Sequence, residues 1–265
     1  LHNLRTLTRT IGKTESGGEP LPPVFKTFEN SQIVLRRSEV SMFAGEPGAG
    51  KSTLALSLAT WMKVPTLYVS ADTGAHTMSM RLYSMLTGKS QDESEKLLST
   101  DIKLAREIIN KGSNHIFWSF EAAPTLTDLD EEVLSFEEVH GENPHLIVLD
   151  NLIDITDGGG EEWSSMRATM KEIKFLARDT NAAILVLHHT SEAFEGRPCP
   201  PRASIQGKVS QLPALICTIG QTDNGMMGVA PVKNRYGKAT ASGTDVCYLS
   251  FNPEFMYLAD PKEPV

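Results

Sequence analysis

Gly45-Glu46-Pro47-Gly48-Ala49-Gly50-Lys51-Ser52, followed by Thr53, is the stretch on which the reading of the fold turns. It satisfies G-x-x-x-x-G-K-[ST] at every required position. Residues 40–44 before it read as a short apolar strand, and residues 51–62 after it as a helix. That strand–loop–helix context is the one the motif requires. The glycines let backbone N–H groups close around phosphate oxygens, and the helix N-terminus adds its dipole and its free donors. Lys51 would reach the β- and γ-phosphates, and the Ser52 hydroxyl would ligate Mg²⁺. The chain is therefore expected to bind a nucleoside triphosphate.

A second carboxylate for the metal side is expected at the end of a buried strand. Residues 145–150 (HLIVLD) supply it, with four apolar residues and then Asp150, which would hold Mg²⁺ through its water shell. Further strands are read at residues 66–70, 116–120, 183–187 and 214–219. Helices are read at 76–86, 91–110 (broken near Thr100-Asp101), 126–139 and 161–178. Residues 228–233, 245–251 and 254–258 read as antiparallel strands. The pattern implies an α/β fold: a mostly parallel sheet flanked by helices, with a carboxyl-terminal antiparallel extension. Residues 1–24, with Arg5, Arg9 and Lys13 leading into a Gly- and Pro-rich run, read as an arm and linker, and residues 25–265 as one domain.

The chain has 265 residues and a net charge of −8, which at face value argues against a nucleic-acid partner. Position overrides the sum. Thirteen acids and no Lys or Arg lie between Glu121 and Glu162, leaving 25 basic and 20 acidic residues elsewhere. Between Pro200 and Thr244 the only acid is Asp223, against Arg202, Lys208, Lys233, Arg235 and Lys238. The longest apolar run, residues 182–187, is far short of the roughly 18 residues of a membrane span. No secretory leader is evident, and three scattered cysteines (Cys199, Cys217, Cys247) suit a reduced, cytoplasmic protein rather than a disulfide framework or zinc site.

The strand after the phosphate-loop helix ends Tyr68-Val69-Ser70-Ala71-Asp72-Thr73, and a helix with Met78, Met80 and Arg81 follows. With the two phosphate-side motifs, this resembles the RecA-fold ATPase core of DnaB-type replicative helicases and their small plasmid and phage relatives. The resemblance spans about residues 25–260 and implies a RecA-like P-loop ATPase using ATP and Mg²⁺. It makes Asp72 the candidate general base, although the family carries Glu there; Glu46 and Asp154 are alternatives. It makes His189, in Leu185-Val186-Leu187-His188-His189-Thr190, the γ-phosphate sensor. A metal shared by His188, His189 and Glu192 is disfavoured, because adjacent strand residues face opposite sides.

The resemblance also implies that residues 191–212 and 156–162 face a central channel holding single-stranded DNA. The second segment is acidic, so the contact candidates are Arg202, Gly207 and Lys208, with Arg197 nearby. Val232-Lys233-Asn234-Arg235-Tyr236-Gly237 matches the family's Lys-x-Arg-x-Gly run, which places Lys233 and Arg235 in a neighbouring subunit's nucleotide site. The expectation is a hexameric, ring-forming translocase or helicase without the family's primase-binding amino-terminal domain. A RecA/RadB-like recombination ATPase, a nucleotide-gated binding protein with little turnover, and a small-molecule phosphotransferase are the alternatives.

Overall fold

The computed structural model describes residues 17–155, 162–191, 198–222 and 224–262. Its strands are β1 (Val40–Gly45), β2 (Thr66–Ser70), β3 (Ile116–Ser119), β4 (Leu146–Asp150), β5 (Ala183–His189), β6 (Leu215–Gln221), β7 (Met226–Asn234), β8 (Cys247–Asn252) and β9 (Tyr257–Ala259). They form one nine-stranded sheet in the order β3-β2-β4-β5-β1-β6-β7-β8-β9. β1 to β6 run parallel; β7, β8 and β9 continue the sheet antiparallel. The α/β expectation holds, including the change of strand direction after β6.

The helices are α1 (Lys26–Asn30), α2 (Lys51–Met62), α3 (Ala75–Thr87), α4 (Gln91–Thr100), α5 (Ile102–Ser113), α6 (Leu126–His140) and α7 (Glu162–Asp179). The break expected near Thr100-Asp101 is the α4–α5 junction, where Asp101 accepts the Leu104 N–H at 3.4 Å. Ser90 and Glu93 form a capping box at α4, and Thr125 and Asp128 another at α6.

The parallel strands are buried on both faces, so they read as continuous apolar runs rather than alternating ones. Alternate residues still enter different cores. Phe43, Leu185 and Leu187 pack with Leu54 and Leu58 of α2, whereas Met42, Ile184 and Val186 pack with Met170 and Ile173 of α7. The same alternation sends His188 to the α7 side and His189 to the α2 side.

Two expectations are corrected, and one element is added to the reading. Residues 18–23 are not a free linker: Pro20 bridges Arg36, the Leu21 N–H bonds to Leu35 at 2.8 Å, and Leu21 is 6% exposed. The first turn α1 was not read from sequence, being only five residues long. Residues 191–212, whose length and Pro-, Gly- and polar-rich composition read as one long loop, contain a 3-10 turn at Gln206–Gln211 that packs on α7 with Val209 fully buried. Residues 156–161, Glu192, Arg197 and the basic arm lie outside the described residues. Among the described residues, no helix is long and apolar enough to cross a membrane.

Candidate active site

β1 delivers the chain to the phosphate loop at the carboxyl end of the parallel strands, where crevices of such sheets bind ligands. Gly48 and Gly50 have φ of +79° and +90°, and Gly50 leads directly into α2. The glycines have different reasons to be glycine. A Cβ on Gly48 would meet nothing, so that position is dictated by backbone conformation. A Cβ on Gly45 would stand 2.7 Å from the Ile219 carbonyl of β6, and one on Gly50 would stand 2.5 Å from Met227 Cε of β7. Within the loop, the Ala49 N–H bonds to the Glu46 carbonyl at 3.1 Å. Gln221, at the end of β6, donates to the Gly48 carbonyl at 2.6 Å.

Lys51 is 8% exposed, and its ammonium donates to the carbonyls of Gly45 (3.0 Å) and Glu46 (2.8 Å). Burial lowers its pKa to about 8, against the pull of Asp150, Asp72 and Glu46, which places all three acids around it. Asp150 closes β4 and is 5% exposed. Burial raises its carboxyl pKa, while hydrogen bonds from the Ser52 and Tyr68 hydroxyls oppose the rise. Tyr68, on the neighbouring strand β2, donates to Asp150 Oδ2 at 3.3 Å and is wholly buried. Sequence reading missed this tyrosine, because an apolar strand hides a phenol aimed at the next strand.

The Ala71 N–H bonds to the Asp150 carbonyl at 2.8 Å, so the exit of β2 is fastened beside β4 and Asp72 stands exposed at the mouth. Asp154, in the turn after β4, has a buried Oδ2 without a partner, and burial and then Asp72 raise its pKa. His189 is half-buried at the end of β5; burial, then Lys51, lowers its pKa, and its Nδ1 has no hydrogen-bond partner. Lys51, Ser52, Asp72, Asp150 and His189 share one cavity of about 320 Å³.

The opposite wall of that cavity was not foreseen. It comprises Arg81 and Gln91 together with Phe251, Pro253 and Met256 from the antiparallel extension. Gln91 donates to the Pro253 carbonyl at 2.9 Å, joining α4 to the turn between β8 and β9. Arg81 lies on the helix that follows β2, but no local motif marks the other four; the fold brings them to the phosphate loop.

The donor set fits Mg²⁺, a hard ion that takes oxygen ligands and keeps waters and substrate phosphates. Ser52 and Asp150 supply protein oxygens beside Lys51, and unpartnered buried oxygens of Glu46 and Asp154 lie in the same neighbourhood. Among the described residues, no group of three or more His, Cys, Asp or Glu could hold a metal by itself. His188 turns away: it is fully buried, its Nε2 lies 3.1 Å from the Gln206 carbonyl, and burial lowers its pKa to about 4.

The remaining predicted residues lie apart. Lys233 and Arg235 leave β7 at the opposite end of the sheet, where Asn234 pairs with Leu215. Arg235 bonds Glu39 at 3.2 Å, and Lys233 donates to the carbonyls of Ser210 (3.1 Å) and Gln211 (2.7 Å). Burial lowers the Lys233 pKa to about 8, helped by Arg235, Arg202 and Lys174. Arg202 is exposed in a short 3-10 turn. Gly207 and Lys208 both have positive φ, of 75° and 52°, and Lys208 is exposed.

A family described as "AAA domain" matches residues 13–193. The chain is 30% identical over 253 residues to the Gene 65 protein of Mycobacterium phage L5, covering 92% of this chain and 94% of that protein. It is 26% identical over 187 residues to the replicative DNA helicase DnaB of Nostoc sp. (strain PCC 7120), covering 67% of this chain but 21% of that protein. It superposes on a solved DnaB-like replicative helicase with a TM-score of 0.81 at 16% identity, covering 96% of this chain and 66% of that one. On the RadB recombinase the TM-score is 0.62 at 13% identity, covering 91% of this chain and 100% of that one. These superpositions establish the RecA-like fold.

Proposed function

This chain belongs to the AAA domain family and is an ATPase of RecA-like fold, and from that premise we propose that it is a ring-forming motor that moves along single-stranded DNA in replication. The observation that carries the assembly part is a separation. Lys233 and Arg235 sit a strand's length, roughly 20 Å, from their own phosphate loop, beyond the reach of either side chain. If they serve a nucleotide, it is a neighbour's. A head-to-tail contact of this kind closes into a ring when its rotation allows.

Within one subunit, the backbone from Gly45 to Thr53 cradles the triphosphate and Lys51 transfers from its carbonyl partners to phosphate oxygens. Ser52 and Asp150 would hold Mg²⁺, whose chemistry there is to neutralise phosphate charge. Tyr68 keeps the Asp150 carboxylate oriented toward Ser52. Asp72, exposed at the mouth and close to Lys51, takes the proton of the attacking water. His189 senses the γ-phosphate. Arg235, released from Glu39, stabilises charge in the neighbouring site, while Lys233 clasps the turn bearing Gly207 and Lys208. Those two residues and Arg202 contact DNA. Similarity to helicases supports the substrate class.

The deciding experiment measures ATPase rate with and without single-stranded DNA, alongside the mass of the assembled protein. Hydrolysis stimulated by DNA in a closed oligomer, a hexamer in the first instance, is expected. A monomer indifferent to DNA would sink the proposal. Open filaments would favour a recombinase instead, and negligible turnover a nucleotide-gated binder.

A further inference from the structure

α7 carries a feature that the nucleotide site does not use. Arg167, Lys171, Lys174 and Arg178 recur at intervals of four, three and four residues. At 3.6 residues per turn they fall within about 60° of arc and run for about 17 Å along the helix. Among the described residues, Lys171, Lys174 and Arg178 have no carboxylate within ion-pair distance, and Arg167 reaches only Gln211, at 3.5 Å. Glu172 and Asp179 lie roughly 110–130° round the helix from the middle of the row. Phe175 stands beside the row, on its solvent side, with 57% of its surface exposed.

A cation row alone suits any polyanion, and Arg178 also favours the negative end of the helix dipole. The aromatic narrows the choice. A phenyl ring left in water among unpaired cations is what a strand with free bases requires: phosphates on the cations and a base stacked on the ring. Duplex DNA fits poorly, because α7 is bedded on the sheet by Met166, Met170, Ile173 and Ala177 and so cannot enter a groove. Its row runs beside the turn that presents Lys208, which packs on the same helix.

We propose that α7 is a track for single-stranded nucleic acid, its cation row following the phosphate backbone and Phe175 stacking a base, continuous with the Lys208 turn. It rests on the reading that this protein binds single strands, and it names the surface and the mode of contact.

The test is fluorescence anisotropy of a labelled single-stranded oligonucleotide with the full chain, across a salt series. The triple variant K171Q/K174Q/R178Q should bind more weakly and lose about 2 from the slope of log affinity against log salt, at about 0.7 per cation for single strands. F175A should lower affinity about tenfold at an unchanged slope, and F175W should restore it. All these side chains except Lys174 are largely exposed, and thermal melting confirms that the variants fold. Absence of any binding by the wild-type chain would overturn the DNA reading altogether. Binding by the wild type with unchanged affinity and slope in both variants would overturn the track alone. A triple variant that binds DNA normally but fails to self-associate would also overturn it, and would assign the row to the acidic α6 of a second copy.

Discussion

The parallel strands and the antiparallel extension contribute to the same site by different means. β1, β2, β4 and β5 each end in a chemical group: the phosphate loop, Asp72, Asp150 and His189. The extension brings support. Met227 stands against Gly50, and Phe251, Pro253 and Met256 close the far wall, while β6, the last parallel strand, sets its Ile219 carbonyl against Gly45 and holds the Gly48 carbonyl with Gln221. A parallel strand repeats one direction, so each strand end delivers a residue to the same edge. An antiparallel strand returns, so β7 touches the phosphate loop with Met227 and carries Arg235 to the other end of the sheet. The extension therefore braces the nucleotide site at one end of the sheet and carries a cation away from it at the other.

The largest effect belongs to the parallel half. Lys51→Ala should reduce hydrolysis to background in a phosphate-release assay, and retained turnover would move the site elsewhere. Arg235→Ala tests the extension and should cost on the order of 10³-fold in kcat, the scale of an arginine finger. Mixing Arg235→Ala with Lys51→Ala subunits should then restore part of the activity. No rescue at any ratio would place Arg235 outside a neighbour's site.

His188 offers a smaller and more local test. Burial holds its folded pKa near 4, below its ordinary 6.5, so the unfolded chain binds the extra proton between those values. Stability contributed by the neutral ring is complete above pH 6.5 and is lost as pH falls toward 4, by about 3 kcal/mol at most. Urea unfolding at pH 7 and pH 4.5 should show the loss, and His188→Asn should flatten it; an equally steep variant would trace the acid sensitivity to other groups. Smallest is Gly45→Ala, which forces a methyl against the Ile219 carbonyl and should cost about 1–3 kcal/mol of stability. A variant as stable as the wild type would mean that β6 does not brace the loop.

How much was legible depended on whether a residue's partner is near in sequence. The phosphate loop, the helix break at Asp101 and the Asp150 strand end were readable because motif, cap and apolar run are each local patterns. The opposite faces of His188 and His189 were readable from strand alternation. Tyr68, Gln91 and Gln221 were not, since each is defined by a partner 82, 162 or 173 residues away. The 3-10 turn at 206–211 looked like an open loop because Val209 is a single apolar residue among polar ones, and only α7 gives it a reason to be buried. The row of cations on α7 is visible at helical spacing, but its lack of acidic partners is a fact of three dimensions.

By itself, the sequence determined that a phosphate-binding loop sits between a strand and a helix, that the domain is α/β, and that its charge is unevenly spread. These follow from local backbone geometry and from hydrophobic periodicity, which neighbouring residues specify together. Tertiary structure alone decided which residues surround Lys51, which end of the sheet receives Arg235, and that the extension braces the phosphate loop. Strand order and direction set those distances, and they are settled by burying two cores at once rather than by any short run of residues.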